Sequence, residues 1–253
     1  MFDEPFAAGP SLMHRIDPRY RITVAVAFSF VVALADRFIP LGAAVGIAGA
    51  LAVLARLNLG QVGRRLSVVI GFLALMWVAL PLTMGGAVVI PVGPLVLSRR
   101  GILLSAVISL KTIGILVGFT ALIATIPLST LGHALGRMKV SKKIVYLLLM
   151  TYRYIHVLEN EYRRMVRAIR MRGFRPRTGL HTYQTYAYLI GMLFVRSVAR
   201  AERIAGAMRC RGFTGRFHSL VDFAPTPATF VFTAIMSAAI AWIAWLEWGV
   251  PLW

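Results

Sequence analysis

Runs of apolar residues divide this chain into stretches that can cross a membrane and stretches that cannot. A helix needs about 20 predominantly apolar residues to span the hydrocarbon core of a bilayer. Five runs approach or exceed that length: residues 22–35, 41–55, 66–84, 102–126 and 229–248. The last run ends among tryptophans, which favour the interface between lipid and water. The pattern predicts an all-α membrane protein with about five transmembrane helices.

The stretch between the fourth and fifth predicted spans has a different pattern. From Ile144 to about Arg172 it lacks Gly and Pro, and apolar residues recur every three or four positions. A second stretch, from Tyr183 to Arg211, repeats this design. These helices are too polar to cross a bilayer, and neither can bury its apolar stripe alone. We therefore expect a cytoplasmic pair of long crossed amphipathic helices that pack on each other and against the membrane core.

Basic residues are concentrated in this polar region. Of 28 Lys and Arg, 18 lie between residues 127 and 228 beside only four acidic residues, and the net charge is +19. Loops rich in Lys and Arg stay in the cytoplasm, so we expect a multi-pass protein of the inner cell membrane with a cytoplasmic N-terminus. The predicted domains are a membrane bundle over residues 1–126, the cytoplasmic region over 127–223 and a last transmembrane helix over 224–253.

One basic residue, Lys111, lies inside the fourth predicted span. A lysine there either extends its ammonium group to an interface or a partner in the bundle, or takes part in transport. The sequence leaves both roles open.

Residues that perform catalysis or bind metals form no recognisable cluster. The chain has no phosphate-binding loop ending in Lys-Ser or Lys-Thr, its five histidines are isolated, and its single cysteine excludes an internal disulfide. We therefore expect no catalytic residues, no metal site and no cofactor. Two other interpretations stay open. One is an integral membrane enzyme whose arginines hold an anionic lipid or isoprenoid phosphate, and the other is a membrane anchor for nucleic acid or anionic lipid.

A repeated pentapeptide marks the end of each amphipathic helix. Arg-x-Arg-Gly-Phe occurs as residues 170–174, here called tip 1, and as residues 209–213, here called tip 2. Glycine is typical of the left-handed residue that ends a helix, and arginine there complements the helix dipole. Capping explains one arginine per helix, but it does not explain the same two arginines followed by Gly-Phe in both copies.

We expect the two tips to dock into like grooves of a two-fold partner, because a guanidinium binds a carboxylate through two parallel hydrogen bonds. The main docking residues are Arg172 and Arg211. Their neighbours in the tips are Met171, Gly173, Cys210 and Gly212, and the supporting residues are Arg170, Arg209, Phe174 and Phe213.

Motifs along most of residues 12–215 resemble those of one transporter family. The x-Arg-Gly sequence of each tip resembles the paired Ala-Arg-Gly-type signatures of the transmembrane T component of energy-coupling factor (ECF) transporters. Met171 and Cys210 stand where that signature has alanine. Further matching segments are His14–Arg19, Thr125–Pro127, Tyr152–Ile155 followed by Glu161, Leu193–Ser197 and Arg200–Arg203. The segments within the two amphipathic helices are closest to the CbiQ branch, which serves cobalt uptake.

The resemblance implies a role in transport without catalysis by this chain. A T component joins a membrane substrate-binding subunit to two ABC-type ATPase subunits, which hydrolyse the ATP. The amphipathic helices would be coupling helices, with Arg172 and Arg211 in grooves of the two ATPases. The cargo would be cobalt, with nickel as the next choice, and the substrate-binding subunit would hold it. A further small membrane subunit is an optional partner, the lipid bilayer surrounds the spans, and no nucleic acid is expected.

Overall fold

The computed structural model describes residues 13, 16–57, 59–83, 89–92, 95–138, 140–215 and 226–249. The predicted end of the third span at residue 84 and the predicted boundary at residue 223 lie outside the described residues. The helices are α1 (Pro18–Leu34), α2 (Phe38–Leu54), α3 (Leu59–Thr83), α4 (Arg99–Leu122), α5 (Leu128–Arg137), α6 (Lys142–Met171), α7 (Leu180–Cys210) and α8 (Pro227–Trp248).

Two short strands, β1 (Val89–Val92) and β2 (Leu95–Ser98), pair as an antiparallel hairpin between α3 and α4. This hairpin apart, the described residues form helices, turns and short connections. The prediction of an all-α membrane protein is confirmed.

The described residues form two compact units. The bundle unit contains the residues up to 127 together with residues 226–249, and so joins the first four helices to α8. The long-helix unit contains residues 128–215, with α5, α6 and α7. The last apolar helix of the chain therefore belongs to the same unit as the first four, although the long-helix unit separates them in sequence.

Helix α4 is the centre of the bundle unit, where it contacts α1, α2 and α3. Small buried residues on α4 let its neighbours approach closely. Gly118 lies against the ring of Phe28, and a Cβ added there would be 2.8 Å from a ring carbon. Gly101 lies against the backbone of α3, where a Cβ would be 2.7 Å from the carbonyl oxygen of Leu80. Helix α8 completes the bundle by packing on α1 and α2.

Replacing Gly101 by alanine is expected to destabilise the bundle unit by about 1–3 kcal/mol, the usual range for overpacking a filled interior. The added methyl group would press on the backbone of α3, which cannot rotate aside as a side chain can. Gly42→Ala is the matched control, because a Cβ at Gly42 would meet nothing within 4 Å in the part of the chain that the structure describes. Thermal unfolding of the purified protein should show a lower midpoint for Gly101→Ala only. Equal midpoints in the two variants would contradict the close packing of α4 on α3.

Three of the described helices are long and apolar enough to cross a membrane: Val62–Thr83, Arg99–Leu122 and Pro227–Trp248. Helices α1 and α2 have 17 residues each, which is the short end of the range for a spanning helix. The helix bounds differ from the predicted runs because some arginines lie inside the helices. Helix α1 begins at Pro18 and includes Arg21, and α4 begins at Arg99.

Lys111 has a structural role in the bundle unit. Its Nζ donates to the carbonyl of Ala33 (3.0 Å) and pairs with the carboxylate of Asp36 (2.8 Å). Both acceptors lie at the C-terminal end of α1, where a cation also complements the helix dipole. On the same turn, the carboxylate of Glu247 accepts the backbone N–H groups of Asp36 and Arg37. These contacts favour a partner in the bundle, rather than transport, as the role of Lys111.

In the long-helix unit, α5 packs on the first turns of α6. Gly132 of α5 lies against Leu149, whose Cδ2 would be 2.6 Å from an added Cβ. The sequence did not predict α5, because glycines at 132 and 136 weaken a helical pattern that spans only Leu128–Arg137. Helices α6 and α7 have 30 and 31 residues, so each is about 45 Å long.

Candidate functional site

Tip 1 ends α6 in a Schellman motif. Gly173 has a φ angle of +82°, the left-handed conformation that glycine adopts without strain. Its N–H donates to the carbonyl of Arg170 (3.0 Å), and the N–H of Phe174 donates to the carbonyl of Ile169 (3.2 Å). These two bonds satisfy carbonyl groups that the end of a helix otherwise leaves unpaired.

Tip 2 ends α7 with the same geometry. Gly212 has a φ angle of +71°. Its N–H donates to the carbonyl of Arg209 (3.0 Å), and the N–H of Phe213 donates to the carbonyl of Met208 (3.0 Å). The sequence repeat is therefore also a structural repeat, and the prediction of a glycine cap at both helix ends is confirmed.

The arginine side chains of the tips are exposed and are not used as caps, since backbone N–H groups already satisfy the helix ends. Within the described part of the chain, none of the four guanidinium groups forms a hydrogen bond or an ion pair: Arg170, Arg172, Arg209 and Arg211. Between them, Met171 is 89% exposed and Cys210 is exposed. Each tip thus presents two cations on a backbone of defined geometry.

The phenylalanine of each tip packs on the other long helix. After α6, the ring of Phe174 lies 6.2 Å from His181 and 5.9 Å from Tyr186, both near the start of α7. After α7, the ring of Phe213 lies 5.6 Å from Tyr146, near the start of α6. The two phenylalanines therefore anchor the two tips to opposite ends of an antiparallel helix pair.

This arrangement separates the tips by nearly the full length of α6. Tip 2 lies near Tyr146 through Phe213, whereas Arg172 follows the last residue of α6. The distance along the helix from residue 146 to residue 172 is about 39 Å, at a rise of about 1.5 Å per residue. The two arginine-bearing ends are therefore two separate surfaces at opposite ends of the helix pair.

One acidic side chain joins α6 to α7 near their middles. The Nη1 of Arg196 donates to Oε1 of Glu161 (2.5 Å), and the Nη2 of Arg200 donates to Oε2 (3.3 Å). The Glu161 side chain is only 14% exposed. We call Glu161, Arg196 and Arg200 the Glu161 triad. Beside it lies a cavity of about 250 Å³, lined by Val157, Asn160, Glu161, Arg164 and Arg200. The triad is thus an ion-pair contact between the two long helices, about midway between the tips.

In the sequence, only the motifs that contain them single out these three residues. The composition of the polar region also points to Glu161, because the region has few carboxylates among many arginines. An acidic residue at such a place is a strong candidate for a specific ion pair. Which arginines it meets depends on the helix register, which the sequence does not show.

The Arg196 guanidinium holds the pKa of the Glu161 carboxyl below its ordinary value. Since folding lowers this pKa, the ion pairs stabilise the fold fully above the ordinary glutamate value of about 4.3. That stabilisation is lost as the pH falls through the lowered pKa. The helix pair should therefore loosen on acidification but not between neutral and alkaline pH.

Glu161→Gln is expected to lower the thermal midpoint at neutral pH, by less than Gly101→Ala does, because partly exposed ion pairs contribute little. It should also flatten the loss of stability on acidification. Glu202→Gln is the matched control, since Glu202 is exposed on α7 and has no ion-pair partner in the described part of the chain. Identical midpoints and pH profiles for both variants would show that the triad contributes nothing.

One side of α7 is exposed and apolar. Leu189 is buried, whereas large apolar residues along the helix are exposed: Leu180, Tyr183, Ile190, Phe194, Val195 and Val198. An exposed apolar surface of this extent usually marks contact with a protein or with lipid.

Comparison with known proteins shows which family this chain resembles in sequence. A family model described as cobalt transport protein, CbiQ, matches residues 9–221. The energy-coupling factor transporter transmembrane protein EcfT of Brevibacillus brevis is 27% identical over 223 residues, with 83% of each chain covered. Proteins of the same name from Acidaminococcus fermentans and Listeria innocua are 26% and 27% identical, and the alignments cover 96% and 94% of this chain. The same alignments cover 95% of the Acidaminococcus fermentans protein and 96% of the Listeria innocua protein.

The family match contains α1 to α7, both tips and the Glu161 triad. The relatives match this chain over most of their own length. With helices long and apolar enough to cross a membrane, the chain belongs to the CbiQ family and is a transmembrane component of an energy-coupling factor transporter.

Proposed function

We propose that this chain is the coupling subunit of an ECF-type ABC importer and that tips 1 and 2 each bind one ABC-type ATPase subunit. The observation that carries this proposal is the pair of equivalent helix ends, each with two exposed arginines that have no partner among the described residues. An ATPase dimer offers two equivalent surfaces, and the separation of about 39 Å along α6 lets each surface take one tip.

In this proposal, Arg172 and Arg211 pair with carboxylates in the ATPase grooves, and Arg170 and Arg209 support them at the rim. The neighbouring residues Met171 and Cys210 and the glycines of the tips lie within the groove. Phe174 and Phe213 hold each tip on the helix pair. ATP hydrolysis takes place in the partner subunits, and residues 127–223 form the cytoplasmic coupling region of an inner-membrane protein whose N-terminus is also cytoplasmic.

The apolar side of α7 fits the membrane substrate-binding subunit as its partner. A rigid helix pair with ATPases at both ends can pass their closing motion to a subunit resting on its side. The exposed residues of α7 supply the apolar surface that such a contact needs. A further small membrane subunit is an optional member of this assembly.

The cargo we propose is a transition-metal ion, with cobalt before nickel. The support is the description of the matching family as a cobalt transport protein. The described residues hold no group of three or more His, Cys, Asp or Glu that could bind a metal ion, so we assign metal binding to the substrate-binding subunit. The alternative of an enzyme acting on lipid or isoprenoid phosphate is not favoured, because the relatives are named as transporter proteins.

The test is uptake by the purified complex in liposomes that hold ATP on the ATPase side. Radioactive cobalt should accumulate only when this chain, both ATPases and the substrate-binding subunit are present, and excess nickel should compete weakly. ATP-dependent uptake without this chain would refute the coupling role. Transport of nickel or a vitamin in place of cobalt would refute the cargo but keep the coupling role.

A further inference from the structure

Arg21 is a buried charge in the first turn of α1. It is 2% exposed and lies in a bundle whose other charged groups are mainly at the surface. In the described part of the chain it has no carboxylate partner, and its Nε has no hydrogen-bond partner. Burying an unpaired cation is costly, so the contacts of the remaining guanidinium nitrogens should show what this arginine does.

The guanidinium joins three segments of the chain. Its Nη1 donates to the carbonyl of Met13 (2.8 Å), and its Nη2 donates to the carbonyl of Leu122 (2.7 Å) and to the hydroxyl of Thr125. Leu122 is the last residue of α4, so Arg21 caps the C-terminal end of that helix. Thr125 lies in the short turn that connects α4 to α5.

The same turn of α1 also holds the start of α8. The carboxylate of Asp17 caps α1 by accepting the N–H of Arg19 (3.0 Å). The N–H of Asp17 in turn donates to the hydroxyl of Thr229 (3.3 Å), two residues after the start of α8. Nearby, the rings of Tyr20 and Phe230 lie 6.1 Å apart.

These contacts lie close in sequence to both places where the chain passes between its two units. The turn after α4 leads directly into residue 128, the first residue of the long-helix unit. The chain comes back to the bundle unit before α8. A single helical turn, at residues 17–21, therefore bonds Leu122 and Thr125, shortly before the long-helix unit, and Thr229, shortly after it.

We propose that Arg21 is a positioning residue that clamps the turn after α4 to the first turn of α1, so that movement of the long-helix unit is passed to the bundle. This proposal rests on the coupling function proposed above. A turn whose Thr125 hydroxyl and preceding Leu122 carbonyl are both bonded to Arg21 moves with the bundle. Without the hydrogen bonds of Arg21, the turn can bend independently of the bundle. The movement that ATP hydrolysis drives in the long-helix unit would then not reach the bundle.

The test measures metal uptake and ATP hydrolysis in the same reconstituted complex. Arg21→Met, which keeps an unbranched apolar stem but loses the guanidinium donors, is expected to lower the uptake per ATP hydrolysed by about tenfold, within the usual range of coupling between sites. Hydrolysis and the amount of assembled complex should change little. Thr125→Val removes one acceptor and should give a smaller drop, and Arg21→Lys should restore part of the ratio.

Arg64→Met is the matched control, because Arg64 is exposed on α3 and its side chain has no partner in the described part of the chain. It should leave the ratio unchanged. A purely structural role of Arg21 would lower assembly, hydrolysis and uptake together at a constant ratio, and that result overturns the proposal. If Arg21→Met gives no complex, an unchanged ratio in Thr125→Val overturns it equally. If the chain without any substitution does not bind the ATPases, the coupling function itself is refuted.

Discussion

The double variant Arg172→Ala/Arg211→Ala is expected to lose both ATPase subunits while it reaches the membrane in normal amounts. Neither guanidinium has a partner within the described part of the chain, so their removal breaks no internal bond. Each arginine would lose charge-assisted hydrogen bonds in a desolvated groove, which costs about 2–5 kcal/mol per site. Because we propose that the two tips bind separate surfaces, each single variant should weaken binding of one ATPase subunit.

Copurification of the ATPases with the tagged chain measures this effect. Arg167→Ala/Arg203→Ala is the matched control, since both arginines are exposed on the same two helices outside the tips. It removes the same charge and should retain both ATPases. Equal loss in the two double variants would mean that general positive charge, and not the tips, holds the partner.

The second large effect concerns the glycine of each tip. Gly212→Val is expected to reduce ATPase binding about as much as Arg211→Ala, although it leaves every arginine in place. The φ angle of +71° is strained for a side chain with a Cβ, by about 1–2 kcal/mol and more for a β-branched residue. The helix end would relax to another backbone conformation and redirect Arg211. Gly173→Val should do the same at tip 1, where φ is +82°.

A substitution by asparagine distinguishes the effect of backbone conformation at Gly212 from the effect of added side-chain volume. A Cβ at Gly212 meets nothing within 4 Å among the described residues, and asparagine tolerates the left-handed conformation. Gly212→Asn should therefore retain most of the binding that Gly212→Val loses. If both variants lose binding equally, the glycine is needed because the partner approaches it closely, and not because of its conformation. Gly206→Ala, within α7, should have no effect, since nothing lies within 4 Å of a Cβ there either.

Sequence reasoning succeeded where one local pattern determines the structure. The long polar helices follow from apolar periodicity, and Gly173 and Gly212 end them where an Arg-Gly-Phe pattern places a left-handed residue. The same holds for the apolar helices, whose bounds shift by a few residues where arginines lie inside a helix. The docking role of the tips is a proposal that rests on their exposure and their equivalence.

Contacts between distant segments could not be predicted in the same way. Arg21 looked like one more basic residue before the first span, but it bonds residues more than 100 positions away. The pairing of Glu161 with Arg196 and Arg200 depends on how two helices are aligned. In both cases the chemistry of the side chain was readable, whereas its partner was set by tertiary packing. Helix α5 was missed for a local reason, since its two glycines dilute a short pattern.

Photo-crosslinking from the tips tests the central claim most directly. A photoreactive amino acid placed at Met171 or at Cys210 would lie on the exposed surface of tip 1 or tip 2. After illumination of the membrane-embedded complex, each position should crosslink to an ATPase subunit, and the chain carrying both should form a product with two ATPase subunits. The same label at Gly206 should give neither product. Crosslinks from both tips only to lipid or to the substrate-binding subunit would contradict the account.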